Sequence, residues 1–338
     1  MTEAEAAAAA EPPAQKTLAE QAPMGPPPVK GMLAMGGLFV VSIGLALVVA
    51  PLYAAEVGPI FEDPQNVGNA GIYLVIVVAF TGVILLIARY KLEKLIQVII
   101  LGAVLMTLVY VLAPLLAAVL RPAVGGSALD AGWLVGLAGS AVLTAALYKH
   151  PEWWVVDLVG VGVSAGAAAY FGISFGILPA LALLIGFAAY DAIAVYRTKH
   201  MVDLADKVMD LRLPLMFIVP KKRGYSFLRE ETHLKEKLAK GEEREALFMG
   251  LGDAVIPGVL VVSAMTFLDP RHTLAGLAGN MVVAAATLVG ALAGYALLMT
   301  LVAKGKAHAG LPSLNGGAIL GFLLALLPLY GTGPLLPG

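Results

Sequence analysis

Apolar residues run along this chain in long blocks separated by short polar or Gly/Pro-rich breaks. Crossing about 30 Å of hydrocarbon takes roughly 20 helical residues. Blocks of that order recur at about 32–55, 68–88, 95–120, 127–148, 153–173, 176–196, 247–268, 276–303 and 311–331. The pattern predicts an all-α polytopic membrane protein with nine transmembrane helices.

Charge gives an independent reading, because cytoplasmic loops near membrane ends accumulate Lys and Arg. With the amino terminus inside, 20 of the 22 Lys and Arg fall in inside segments, and Arg121 and Arg271 remain outside. Miscounting one helix would invert every later loop and destroy this asymmetry. The amino terminus is therefore expected to be cytoplasmic and the carboxyl terminus external. Residues 1–30, which include Pro26-Pro27-Pro28, read as a disordered Ala/Pro-rich tail, 31–196 as helices one to six, 197–246 as a charged cytoplasmic loop, and 247–338 as the last three helices.

In that loop, Met201, Leu204, Ala205 and Val208 lie on one helical face, with Asp203, Asp206 and Asp210 on the other. They predict a surface helix whose acids serve solvation. Residues 213–230 contain two short β-prone runs around Pro220 and Gly224, which predict a hairpin. Small residues at four-residue spacing, as in Gly132/Gly136, Gly162/Gly166 and Gly290/Gly294, suit close helix packing within a bilayer.

Composition narrows the chemistry. The chain is 59% hydrophobic and 13% charged, with a mean hydropathy of +0.87, so the lipid bilayer is its solvent. A net charge of -1 supplies no basic surface for nucleic acid. Without cysteine there is no disulfide, thiolate nucleophile or Cys-based metal site; the five histidines are scattered and no H-E-x-x-H occurs. The reading calls for no metal and no cofactor.

Ionisable groups inside spans are costly, and functional by default. Asp191 lies six residues before Arg197 at the inner end of the sixth span, and Asp253 lies six residues after Leu247 at the inner end of the seventh. Each is thus about 9 Å deep along its helix. At equal depth on sequential helices, the two carboxylates can face one another. In a low dielectric both cannot be ionised, so they share a proton and titrate as a coupled pair. One can then take a proton from water while the other polarises a carbonyl, as in an aspartic protease. Gly250 and Gly252 lack a Cβ, which allows a substrate backbone to approach. Asp130 and Asp157 lie near the starts of their spans, where a carboxylate complements the helix amino terminus, and read as structural.

The ninth span opens at the same predicted depth with Pro312-Ser313-Leu314, followed by Gly316-Gly317. Proline and the glycine pair loosen the helix there, leaving irregular backbone that can line a cavity or pair with an extended peptide.

Tyr190-Asp191, Gly250-Leu251-Gly252-Asp253 and Pro312-Ser313-Leu314 resemble the YD, GxGD and PAL motifs of the presenilin and signal peptide peptidase family. The resemblance extends over roughly residues 31–338 and looks closest to the archaeal presenilin homologues. The one departure is Ser313 where the family motif has Ala. The resemblance implies an intramembrane aspartyl endopeptidase with Asp191 and Asp253 as its catalytic pair. It implies that Tyr190, Gly250, Leu251, Gly252, Pro312, Ser313 and Leu314 serve substrate binding, and that part of the loop, about 214–228, pairs as strands with an unwound substrate. By the same logic the partners are transmembrane helical segments of type I membrane proteins, cleaved in the cell membrane toward its cytoplasmic side. Self-association into a homo-oligomer stays open.

Three rivals are weaker. Gly172-Ile173-Ser174-Phe175-Gly176 matches the G-x-S-x-G string of serine hydrolases, but its base would be a histidine at membrane depth, and all five histidines fall in predicted loops or at span ends. An ion-coupled transporter would place paired acids near the midplane in duplicated halves. A prepilin-type peptidase shares GxGD chemistry, but the nine-span count and the 312–314 motif favour the presenilin-like reading.

Overall fold

The computed structural model describes residues 29–90, 92–195, 215–222, 224–227, 245–302 and 309–336. Among them are nine α-helices: α1 (Val29–Glu56), α2 (Gly68–Arg89), α3 (Glu93–Val124), α4 (Ala128–Lys149), α5 (Trp153–Ser174), α6 (Ile177–Ile193), α7 (Leu251–Phe267), α8 (Gly279–Val302) and α9 (Leu311–Tyr330). The antiparallel strands β1 (Met216–Pro220) and β2 (Ala246–Gly250) precede α7, and a two-residue hairpin, β3 (Thr273–Leu274) and β4 (Leu277–Ala278), precedes α8.

Seven of the helices are long and apolar enough to cross a membrane; α6 and α7, with 17 residues each, are shorter. Seventeen residues rise about 25 Å, less than the roughly 30 Å of a hydrocarbon core. The two short helices are the two that carry Asp191 and Asp253.

The core gathers around α5, which is packed by α1, α3, α7 and β1. Glycines set two of the tightest contacts. A Cβ on Gly132 or Gly136 would come within 2.7 Å of the Ala113 backbone, so α4 lies directly on α3. A Cβ on Gly290 would overlap the Gly317 carbonyl and one on Gly294 the Ser313 carbonyl, so α8 seats the first turns of α9. By contrast, α2 leaves Val75, Ile76, Val78 and Phe80 exposed along its length. In a bilayer such a face is lipid-facing.

Two expectations are corrected. The predicted seventh span begins as a strand: 246–250 is β2, and the helix starts only at Leu251, after Gly250 in an extended conformation (φ -61°, ψ 141°). Asp253 is therefore the third residue of α7, and not the seventh residue of a helix that begins at Leu247. Among the described residues of 213–230, the predicted hairpin is replaced by a longer-range pairing. Met216–Pro220 is extended, but it pairs with β2, in the register Phe217↔Met249 and Val219↔Leu247. Gly224 does turn the chain, at φ +83°. The segment beyond it is then drawn to Glu152, whose carboxylate accepts hydrogen bonds from the Ser226 hydroxyl (2.7 Å) and the Phe227 amide (3.2 Å). The surface helix predicted over 201–210 and the tail up to residue 28 lie outside the described residues.

The Gly172–Gly176 string is a helix break. Ser174 ends α5; its hydroxyl accepts the Ile60 amide (2.9 Å) and donates to the Tyr170 carbonyl (2.6 Å), while the Gly176 amide donates to Pro64 (2.7 Å). A hydroxyl spent on two backbone groups ties the α1–α2 loop to the α5–α6 break.

Candidate active site

The last turn of α6 and the first turns of α7 and α9 converge at one end of the molecule. Asp191 is the third residue from the end of α6, and Asp253 is the third residue of α7. The α6 helix closes in a widened π turn at 194–195, so its regular hydrogen bonding stops just past the acid.

Asp191 is buried, 5% exposed, and its Oδ2 accepts the Leu311 amide at 3.0 Å. The Gly310 amide faces the same carboxylate. A helix start leaves orphan N–H groups that a side chain at the cap normally satisfies. Gly310, at the cap of α9, has no side chain to do this, and Pro312 contributes no N–H. Asp191 thus caps α9 from another helix, and the positive end of the α9 dipole meets its carboxyl group.

Asp253 is partly buried and caps its own helix, its carboxylate accepting the Gly250 amide in half of a capping box. Asp191 and Asp253 meet at Gly310. Gly310 fits between them. A Cβ built on it would stand 3.3 Å and 3.4 Å from the two carboxylate oxygens of Asp253, while its amide faces Asp191. One turn further on, Asn315 Nδ2 donates to the Leu184 carbonyl (2.8 Å), pinning α9 to α6.

Asp253 opens into a cavity of about 190 Å³, lined by β2, by Met35 of α1, by Tyr295, Leu298, Met299 and Val302 of α8, and by Gly310. A larger cavity of about 350 Å³ lies between α1, α3 and α5, around Tyr53, Tyr110 and Tyr170, and includes neither acid. The smaller cavity is the one with chemistry beside it.

The registers of the strands show which backbone groups are turned away from the sheet partner. Lys221 donates to Glu245 and Leu251 to Leu215, so the pairs 217/249 and 219/247 exchange hydrogen bonds in the alternating antiparallel pattern. The N–H and C=O of Phe248 therefore point away from β1. Those of Ile218 point out on the opposite edge, where the Ile218 amide donates to Asp157 at 2.7 Å.

Of the residues singled out from sequence, Asp191, Asp253 and Gly250 come together here. Gly252 is exposed, with open space where a Cβ would be. Tyr190 is half-buried beside Asp191 on α6. Leu251 is buried against Gly160 and close to Phe217, and Leu314 is fully buried. Pro312 and Ser313 begin α9, with the Ser313 carbonyl against α8. The α9 residues whose amides meet Asp191 are Gly310 and Leu311, immediately before the motif. Sequence reasoning passed over both, and also passed over the outward edge of β2. The available signal was a glycine at a helix cap directly ahead of Leu-Pro, a cap with no side chain of its own.

The family described as signal-peptide peptidase, presenilin aspartyl protease matches residues 35–330 of this chain. Two solved structures of a presenilin family intramembrane aspartate protease are similar to it. One, in space group C222, has 34% sequence identity and a TM-score of 0.62, covering 88% of this chain and 99% of the other. A second, in space group P2, has 34% identity and a TM-score of 0.60, with 88% and 97% covered. No match is found among curated proteins.

Proposed function

We propose, because this chain belongs to the signal-peptide peptidase and presenilin aspartyl protease family, that Asp191 and Asp253 are the water-activating pair of this intramembrane peptide hydrolase. The observation that carries the assignment is the meeting of two carboxylates at the ends of two short helices, beside a cavity edged by an outward-facing strand. The ionised carboxylate takes a proton from water, and the resulting hydroxide attacks the scissile carbonyl. The protonated partner donates its proton to that carbonyl oxygen, and a tetrahedral diol forms with no covalent enzyme intermediate. Collapse of the diol with protonation of the leaving nitrogen releases the two ends and restores the shared proton.

Substrate presentation follows from β2. A peptide bond inside a transmembrane helix has its amide and carbonyl engaged, so local unwinding precedes attack. The outward N–H and C=O of Phe248 offer an unwound segment a strand to pair with, next to Asp253. We assign this role to β2 rather than to 214–228, since β1 has β2 on one edge and Asp157 on the other. Leu247, Met249, Leu298 and Met299 line the adjoining cavity and suit an apolar side chain.

The distribution of Lys and Arg supports nine crossings with the amino terminus inside, and with it a site toward the cytoplasmic face, on the side of the loop that holds twelve Lys and Arg. Type I single-span segments, whose carboxyl ends reach that face, are the substrate class. The test is mass spectrometry of the products formed from a type I single-span peptide in detergent. Wild type cuts within the apolar segment. Asp191→Asn and Asp253→Asn, which keep shape but cannot move the proton, lose about 10²–10⁴-fold in turnover. Cleavage by either variant at the wild-type rate would remove these residues from the mechanism.

A further inference from the structure

Asp157 is a buried acid the mechanism does not use. It is 7% exposed, on α5, whose Val155, Val156 and Val159 belong to one buried cluster with Leu108 and Ile218. The expectation that it complements the start of its own helix is not met. It is the fifth residue of α5, and the Val155 and Val156 amides bond to the Glu152 carbonyl instead. Its Oδ1 accepts a hydrogen bond from the Ile218 amide, 61 residues away, at 2.7 Å.

That amide is one that β1 cannot satisfy within its sheet, because Ile218 faces Phe248 in a pair that exchanges no hydrogen bonds. A buried N–H without a partner is costly, and an open strand edge is a template for unwanted pairing. Asp157 meets both needs with one oxygen. Its effect reaches the reactive end of the site through continuous structure: β1 fixes β2 by its ladder, β2 ends at Gly250, and Gly250 caps the turn that holds Asp253. Glu152 fastens the same segment further along, at Ser226 and Phe227.

We propose that Asp157 is a positioning residue. By accepting the Ile218 amide it holds β1 in place, so that β2 and Asp253 are presented to substrate, and it closes the outer edge of β1 so that a substrate strand adds only to β2. This rests on the protease reading above.

The test compares Asp157→Asn, which keeps an acceptor oxygen, with Asp157→Leu, which has nearly the same shape and no acceptor. Amide exchange of the 215–222 segment and the kinetics of cleavage of a type I single-span peptide are measured on each purified full-length protein, with Asp253→Asn as the inactive control. Expected for the Leu variant are exchange at Ile218 faster by about tenfold or more and a fall in kcat of similar size. Its KM should stay within about threefold, because the defect lies in presentation of the bond and not in capture of the helix. The Asn variant should track wild type in both measurements. Unchanged Ile218 exchange in the Leu variant would overturn the proposal. So would an Asn variant slowed by about tenfold or more against wild type, since the charge and not the acceptor would then be what matters; that arm is read against wild type and decides the question even if the Leu variant does not fold. Exchange is read without any turnover, so a wild type that cuts nothing would count against the protease reading alone.

Discussion

At the residue scale, Asp191 has two tasks at one carboxylate. It is the cap of α9 and a member of the proposed catalytic pair. The shared proton predicts a bell-shaped dependence of kcat/KM on pH: the rate falls in acid as the second carboxylate is protonated, and in base as the shared proton is lost. A rate that keeps rising into strong alkali in a pH series would contradict the pair. Gly310 makes a sharper prediction. An Ala Cβ would stand 3.3 Å from Asp253, a tight contact that small shifts accommodate, whereas the two γ-carbons of Val would be driven toward the carboxylates. Gly310→Val should lower turnover by roughly a hundredfold or more, since misplacement by about 1 Å costs that much. Gly310→Ala should lose much less, and both should keep the wild-type melting profile. The two acids stood out in the sequence because a charge in an apolar run is expensive. Gly310 did not, because its part is played by an amide and by the absence of a side chain.

At the element scale, function resides in the elements that break the pattern of full-length spans. Both acid-bearing helices are short, and a five-residue strand occupies the place where the seventh span was expected to begin. The sequence Ala-Leu-Phe-Met-Gly is equally apolar as helix or strand, so periodicity could not decide between them. The decision comes from β1, 26 or more residues earlier, whose ladder these residues complete. The register makes the strand testable. Phe248→Pro removes an N–H that points away from β1, so the sheet should survive while cleavage of transmembrane substrates falls by about tenfold or more. Leu247→Pro removes an N–H directed into the ladder and should instead unpair β1 from β2. Amide exchange over 215–222 distinguishes the two: slow for Phe248→Pro, fast for Leu247→Pro.

At the scale of the whole molecule, topology can be read with single cysteines, because the sequence contains none and so carries no background thiol. In oriented vesicles, Lys237→Cys should react with an impermeant maleimide only from the cytoplasmic side, and Leu274→Cys, exposed in the β3–β4 hairpin, only from the outside. Labelling of both from one side would break the proposed nine-crossing arrangement. The sequence by itself determined that this is a multi-helix membrane protein, where its helices lie to within a few residues, which small residues let them pack, and which two carboxylates are out of place in hydrocarbon. These are properties that the bilayer imposes residue by residue: span length, burial of charge and the distribution of Lys and Arg add up along the chain. Only the tertiary structure decided that Asp191 caps α9, that Asp157 closes the edge of β1, and that β2 replaces the first turn of the seventh helix. Those outcomes depend on which amide meets which carboxylate across 120 and 61 residues of chain. A linear pattern carries no record of such pairings, because the same apolar run satisfies the bilayer equally well whichever partner its backbone finds.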